Sequence, residues 1–591
     1  MADGSAVSAR GLRVAAAVLA AALLPACGLP VEDGVQAPGR VSSDDAERGD
    51  IQVLPPGPRP DAGPREIVLG FLGAQTSADG DHALAREFLA REVREEWDDD
   101  AGVLVYDPGS LEVSTGPGDE RVTVRARAVA TIGADGSYLL TDRATEDDYA
   151  LRRDPAGQLR LVDVPSGLRL TPAGAERSFQ PYSVFFLSLA TGTDVPRRLV
   201  PDRVFLASDA GPEALVRRVL VGPTAALGGA VESAVPPGTA LASPVRVRDG
   251  VVEVDLAGEL AELGDTPRRH LAAQLVWTLQ TGLPQTSGVR LLHDGRPYDV
   301  PGVDAVQDLS DWSELDPAGP GVGASAVYVS DRTLRRLDGT VTPSAATDGS
   351  LPVDLAAAQP GSGDLALVTR DAGPGGRDVV RVGPAGGPFP AVLTVHEVRS
   401  LSWGSGDRGL WVVHGPGAPD AAATVTLVPG SGPPRTVRYA VPPGAGPLSA
   451  LRASRDGARV AAIFGRGAER RLHVGRVEQG SGGALSVTGL RAVAPGLADV
   501  ADVAWESGTS LVALAPFGTP NRLPVRLAVD GSDVEPVRAI GLDGEPETVA
   551  AAPDRPLVVG AVVGGRPVLL VESGGLFRLQ QGTGRDPAYP G

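Results

Sequence analysis

Lysine does not occur in this chain. All 54 basic residues are arginine, set against 73 acidic ones, and the net charge is −19. So acidic a chain is a poor nucleic-acid binder, because phosphate neutralisation needs clustered cations. An anionic membrane surface would hold it off, which suits a tethered protein standing clear of that surface. Cysteine is nearly missing too: Cys27 is the one thiol, so no internal disulfide can form and thiolate metal sites are excluded. The 591 residues suffice for about three or four domains and can bury cores that need no crosslink. The six histidines (82, 270, 293, 396, 414 and 473) are scattered, with no His-Glu-x-x-His pair. No Gly-x-Ser-x-Gly elbow is present, so a hydrolase serine lacks its strained turn.

What is there begins around that one cysteine. Arg10 and Arg13 precede an apolar run from Val14 to Leu24, and small Ala26 stands directly before Cys27. A basic start, a short apolar segment and a small residue at the cut make a secretory signal. A membrane-spanning helix needs about 20 apolar residues, and this run has 11, too few to remain as an anchor. The order Leu24-x-Ala26-Cys27 resembles a bacterial lipobox. That resemblance implies a signal peptide over residues 1–26 and diacylglycerol on Cys27, whose two chains would hold the protein stably. An ordinary signal peptide with an incidental cysteine is the other reading. Removing Asp3, Arg10 and Arg13 with the signal takes one net positive charge away, leaving −20. Residues 27–60, with Pro55-Pro56-Gly57-Pro58, read as the acylated cysteine and a flexible spacer.

The first folded unit is expected over 61–172. Pro64 suits the first position of a helix in which Ile67/Phe71 and Val68/Leu72 repeat at i, i+4. A second helix is expected after Asp81 as cap, with a stripe through Ala85, Leu89, Val93 and Trp97. The acidic run Asp98-Asp99-Asp100 reads as a solvated helix end rather than a metal site. Period-two alternation follows through Val122, Val124, Ala126 and Ala128. A hairpin is expected at Asp135-Gly136, with further strands at Ser137–Arg143, Tyr149–Arg153 and Leu159–Val164. Two helices followed by a curved antiparallel sheet make an α+β unit similar to the NTF2-like group.

Residues 180–303 read as a doubled α+β unit. Strands at Phe185-Phe186 and Arg203–Ala207 precede a helix opened by Gly211-Pro212 and closed by Gly222-Pro223. Strands Ala242–Arg248 and Val251–Leu256 meet at Asp249-Gly250. A second helix is expected with Thr266 as cap and a stripe through Leu271, Leu275 and Leu279, and a last hairpin turns at Asp294-Gly295. Six blocks here resemble a GerMN domain: Leu199-Val200-Pro201-x-Arg203, Val219-Leu220-x-Gly222-Pro223, Pro236-Pro237-Gly238-Thr239, Asp249-Gly250-Val251-x-x-Val254-Asp255-Leu256, Gln274-Leu275-Val276-x-Thr278-Leu279 and Asp294-Gly295-Arg296-Pro297. The resemblance implies a binding module. Most of these residues are also what turns, caps and a core need, so no ligand residues are assigned.

From 304 to 585 a motif recurs: an apolar strand, a polar turn, a second apolar strand. Its turn residues 364, 407, 456, 508 and 554 are 43, 49, 52 and 46 apart, the spacing of propeller blades. The Ser454-x-Asp456-Gly457 turn resembles those of TolB-like propellers. Five to seven blades are expected, with Ala326–Ser330 and Val568–Leu579 as candidates to close the ring. Gly404-x-Gly406-x-x-Gly409 matches a dinucleotide fingerprint, but Leu410–Val413 after it reads as a strand where a cofactor site needs a helix. His396-Glu397 is a lone acid–base pair, expected on the surface.

Lipobox, spacer, NTF2-like unit, GerMN unit and propeller, in that order, resemble the LpqB family of actinobacterial lipoproteins. The resemblance implies an accessory protein of the MtrAB two-component system. It would stand on the outer face of the cytoplasmic membrane and associate with the extracellular part of a sensor histidine kinase in envelope and division control. The expectation is a non-enzymatic adaptor with no cofactor and no metal. A cell-wall glycan-binding lipoprotein is the alternative, and an envelope hydrolase is a third reading.

Overall fold

The computed structural model describes residues 56–591 apart from 78, 190–196, 320–323, 371–375, 405–408, 416–421 and 481. Cys27, the signal sequence and most of the spacer therefore lie outside the described residues. The described residues form one compact unit, in which three modules follow one another.

In the N-terminal module the helix Pro64–Ala74 starts on its proline and buries Ile67, Val68, Phe71 and Leu72, as the i, i+4 spacing requires. The second helix differs from expectation. It ends at Arg86, and Asp81 caps nothing: residues 80–82 have positive φ. The stripe still reaches the core, because Leu89 forms a bridge beside Leu161 and Ala90 donates its N–H to the Leu161 carbonyl at 2.7 Å. Backbone pairing with the sheet replaces the helical bonds there, while Phe88, Leu89 and Trp97 stay buried. The two strands expected at Ser137–Arg143 and Tyr149–Arg153 are one continuous strand, Tyr138–Arg153, paired along Arg121–Ile132 through a bulge. The sheet is mixed, since Val103–Tyr106 pairs antiparallel with Arg121–Ile132 and parallel with Leu168–Leu170.

In the second module Phe179–Ser188 pairs antiparallel with Leu199–Ala207. The helix Pro212–Val221 begins and ends at the expected Gly211 and Gly222, the latter at φ 94. The second helix, Asp265–Gly282, starts one residue before Thr266, with Gly264 in the capping position. Ala242–Arg248 is not one strand. Ala240–Leu241 and Arg246–Arg248 pair separately with Val251–Ala257, which runs parallel to Gly288–His293. Asp249-Gly250 and Asp294-Gly295 both adopt positive φ at both residues, the geometry a two-residue hairpin turn demands. Residues 306–315, grouped by sequence with the propeller, belong here. Val306–Gln307 pairs with Gly288–His293, and Trp312 is buried in this module's core beneath the Arg269 guanidinium.

The third module is a six-bladed propeller among the described residues. Five blades contain the five recurring motifs as their inner hairpins, which begin at Leu355–Ala358, in the second half of Ala391–Trp403, and at Leu448–Ala453, Val503–Trp505 and Glu545–Ala550. The sixth blade closes the ring by joining chain ends: Arg585–Ala588 pairs with Val327–Ser330, which pairs with Thr333–Arg336. Val568–Leu579 does not close it. That stretch forms the outer strands Arg566–Ser573 and Leu576–Leu579 of the fifth blade. Side chains staple neighbouring inner strands: Trp403 Nε1 donates to the Ala357 carbonyl, Trp505 Nε1 to the Arg452 carbonyl, and Ala453 N to Ser402 Oγ. Each blade alone leaves a face uncovered, and these contacts form as blades cover one another.

Candidate binding site at the three-module junction

The histidines singled out by sequence lie apart. His82 stacks edge-on against Trp97, His293 faces the Gly258 carbonyl, His414 contacts Thr426, and His473 lies edge-on to Phe464 in the third blade. Glu397 is exposed and pairs with Arg399 at 3.2 Å. Asp99 of the acidic run pairs with Arg86 at 2.9 Å. Gly404 N donates to the Gly409 carbonyl, and the strand Leu410–Gly415 follows where a dinucleotide site needs a helix, while Gly406 lies outside the described residues. Among the described residues, no group of three or more His, Cys, Asp or Glu side chains is placed to hold a metal ion.

Charged groups do converge in two places. The first is the propeller's central channel, lined by inner strands of all six blades. There Arg452 pairs with Asp502 at 3.1 Å, and Asp502 also accepts from Val549 N at 3.0 Å. Burial raises the Asp586 carboxyl above its usual range and pulls the Arg455 guanidinium down to about 10.

The second is where all three modules meet. The strand Leu199–Ala207 is the shared element. On one side the tip of the N-terminal hairpin reaches it: Phe205 N donates to the Gly136 carbonyl at 2.8 Å, and the Tyr138 and Phe205 rings lie 5.2 Å apart. Gly136 has φ 76, and a Cβ there would lie 2.8 Å from the Phe205 carbonyl oxygen, so glycine is required by both conformation and approach. On the other side the propeller docks. Arg459 Nη2 donates to the Pro201 carbonyl at 2.7 Å, and Ala458 enters the core of the second module. Arg203 pairs with Asp530 of the fourth blade at 3.2 Å and donates to Ser532 Oγ.

Between these contacts lies a cavity of about 160 Å³, walled by Tyr138 of the first module, Asp202 and Arg203 of the second, and Arg459, Arg476, Arg491 and Asp530 of the propeller. Asp202 is buried, and its carboxylate accepts from both Thr224 N (2.7 Å) and Thr224 Oγ1 (3.0 Å). Burial still pushes its pKa up, against the pull of Arg459. Arg476 pairs with Glu478 at 2.7 Å and donates to the Ala225 carbonyl. Burial lowers the pKa of Arg491. Of these residues only Arg203 stands in a sequence motif, the Leu199-Val200-Pro201-x-Arg203 block, and that block does not say what the side chain faces. The available signal was arginine on strands that are otherwise apolar, as in Arg459–Phe464, and it says nothing of what the arginine faces.

Three modules in this order define a class: multidomain proteins that join an N-terminal α+β unit and a GerMN unit to a β-propeller. Family models match each part. "Lipoprotein LpqB, N-terminal domain" matches residues 57–175, "Sporulation and spore germination" 183–299, and "Lipoprotein LpqB beta-propeller domain" 329–590. The chain belongs to the LpqB lipoprotein family. It is 29% identical over 640 residues to lipoprotein LpqB of Thermobifida fusca, covering 98% of this chain and 99% of that one. To the Mycolicibacterium smegmatis protein of the same name it is 28% identical over 567 residues, covering 91% and 89%. Among solved structures, TolB from Acinetobacter baumannii matches with TM-score 0.35 and 15% identity over 47% of this chain and 70% of its own. The tandem GerMN domains of GerM from Bacillus subtilis match with TM-score 0.16 and 18% identity over 20% and 40%. The curated relatives are named as lipoproteins, and no helix among the described residues is long and apolar enough to cross a membrane.

Proposed function

We propose that this protein is a lipid-anchored, extracytoplasmic adaptor that holds the external domain of a sensor histidine kinase of the MtrAB type close to the membrane. Cys27 carries the diacylglycerol, the segment up to residue 60 is the spacer, and the three folded modules provide the partner surface. The reading is supported above all by similarity along nearly the whole chain to lipoproteins of one family. The shared strand Leu199–Ala207 adds to it, because modules joined by buried contacts can present one continuous surface. The adaptor works by binding, with no reaction of its own. Co-purification of the kinase's external domain with the full chain tests this. Enrichment well above that given by an unrelated lipoprotein is expected; equal recovery overturns the proposal.

A further inference from the structure

We infer that the cavity at the three-module junction is a binding site for a small phosphate-type oxyanion, seated on Arg491. The wall holds four arginines (203, 459, 476 and 491) against two aspartates (202 and 530). Three of the arginines are committed. Arg203 pairs with Asp530, Arg476 with Glu478, and Arg459 bonds the Pro201 carbonyl while lying 3.7 Å from Asp456. Both aspartates are engaged within the protein: Asp202 accepts from Thr224, and Asp530 accepts from Ser532 through Oδ1 while its Oδ2 is held by the Arg203 ion pair alone. Arg491 is left over: among the described residues its guanidinium has no hydrogen-bond or ion-pair partner, although its neighbours in the field are Asp530, Arg459, Asp202 and Arg476. The half-buried Arg491 guanidinium faces this cavity with no partner among the described residues, so an anion entering it gains charge-assisted hydrogen bonds that the protein does not supply.

The ligand's class follows from the donors. Guanidinium groups present forked N–H pairs that match the oxygens of phosphate. Tyr138 walls the cavity from the first module, and burial pushes its hydroxyl up to about 12, so it keeps its proton at neutral pH. Donors from two modules thus line a space of about 160 Å³, which takes a phosphate group together with bound water or with the rest of a phosphomonoester. Gly489, at φ 61, stands beside the Arg476 guanidinium on the cavity wall. The anion is either free phosphate or the terminal phosphate of a larger molecule. Occupied, the site would tie the first module's hairpin to the propeller and tighten the junction.

The full chain in detergent is titrated by calorimetry with inorganic phosphate and, separately, with glycerol 3-phosphate, at constant ionic strength and with acetate as comparison. Saturable binding of either phosphate below about 1 mM is expected, with binding of glycerol 3-phosphate alone assigning the source to a phosphomonoester. Arg491→Gln should weaken it at least about tenfold, and Arg491→Lys should recover part of the loss. Hydrogen exchange on the unmodified chain should slow around 137–139 and 489–491 when phosphate is present, a readout that does not depend on a variant folding. Absence of saturable binding, equal binding of acetate, or slowing elsewhere but not at these two segments overturns the assignment.

Discussion

The guanidinium of Arg459 donates to the carbonyl of Pro201 at 2.7 Å, joining two buried residues 258 positions apart. It also donates to the Gly508 carbonyl at 3.3 Å. One side chain therefore holds the second module, the third blade and the fourth blade together. The turn that carries it, Ser454–Arg459, is buried throughout, with Ser454 Oγ and Ala458 N both donating to Asp456 Oδ1.

Replacing Arg459 should therefore loosen the docking of the propeller. Arg459→Met leaves the buried Pro201 carbonyl and the half-buried Gly508 carbonyl without this donor and takes a cation away from Asp202 and Asp456. A loss of about 2–4 kcal/mol is expected. Arg435→Met, on an exposed position of the second blade, should stay within about 0.5 kcal/mol. Scanning calorimetry of the two variants makes the comparison; equal melting behaviour would refute the role given to Arg459.

Two buried tryptophans should respond differently to the same substitution. Trp505 Nε1 donates to the Arg452 carbonyl at 3.0 Å, whereas Trp411 Nε1 is buried with no partner. Trp→Phe removes similar volume at both sites. Trp505→Phe should cost about 1 kcal/mol more than Trp411→Phe, because it alone gives up a bond and orphans a carbonyl. Denaturant unfolding of both variants measures the difference, and a larger loss at Trp411 would contradict the stapling scheme.

Stability should fall on mild acidification through buried histidines. Burial lowers the pKa of His270, His414 and His473 below the usual value of 6.5. Below that value the unfolded chain takes up protons that the folded chain resists, so the unfolded state binds more protons and stability rises with pH. The loss thus begins as pH drops past about 6.5 and continues until the folded-state pKa values are passed. His473→Gln should flatten the dependence between about pH 6.5 and 5, measured by thermal melting across that window. An unchanged slope would remove His473 from the account.

Membrane attachment should depend on one atom. Cys27→Ala removes the sulfur that would carry the acyl chains, and the apolar run of 11 residues before it is too short to span a bilayer. The variant is expected in the soluble fraction after cell fractionation. Persistent sedimentation with membranes would show that something other than Cys27 holds the protein there.

The inner hairpins of five blades were legible because each places two apolar strands around a polar turn, and that pattern has no other use for its apolar face. The Asp249-Gly250 and Asp294-Gly295 turns were legible because few residue pairs tolerate positive φ at both positions. The second helix was misread because period-four apolar residues also suit a segment that leaves the helix at Arg86 and pairs with Leu161. Ring closure was misplaced because Val568–Leu579 and Arg585–Ala588 are both strands, and their neighbours decide which one meets Val327–Ser330. The junction cavity left no trace in any single stretch, since its wall is drawn from segments hundreds of residues apart.

The sequence by itself determined the module order, the turns and the apolar faces, since backbone conformation and hydrophobic period act over a few neighbouring residues. It also set the number of arginines. Which of them meet a carboxylate, which a carbonyl, and which, like Arg491, meet neither was decided by tertiary structure. Charge pairing acts through space at distances of a few ångströms, and it was packing that brought Asp202, Arg459 and Arg491 to the wall of one cavity.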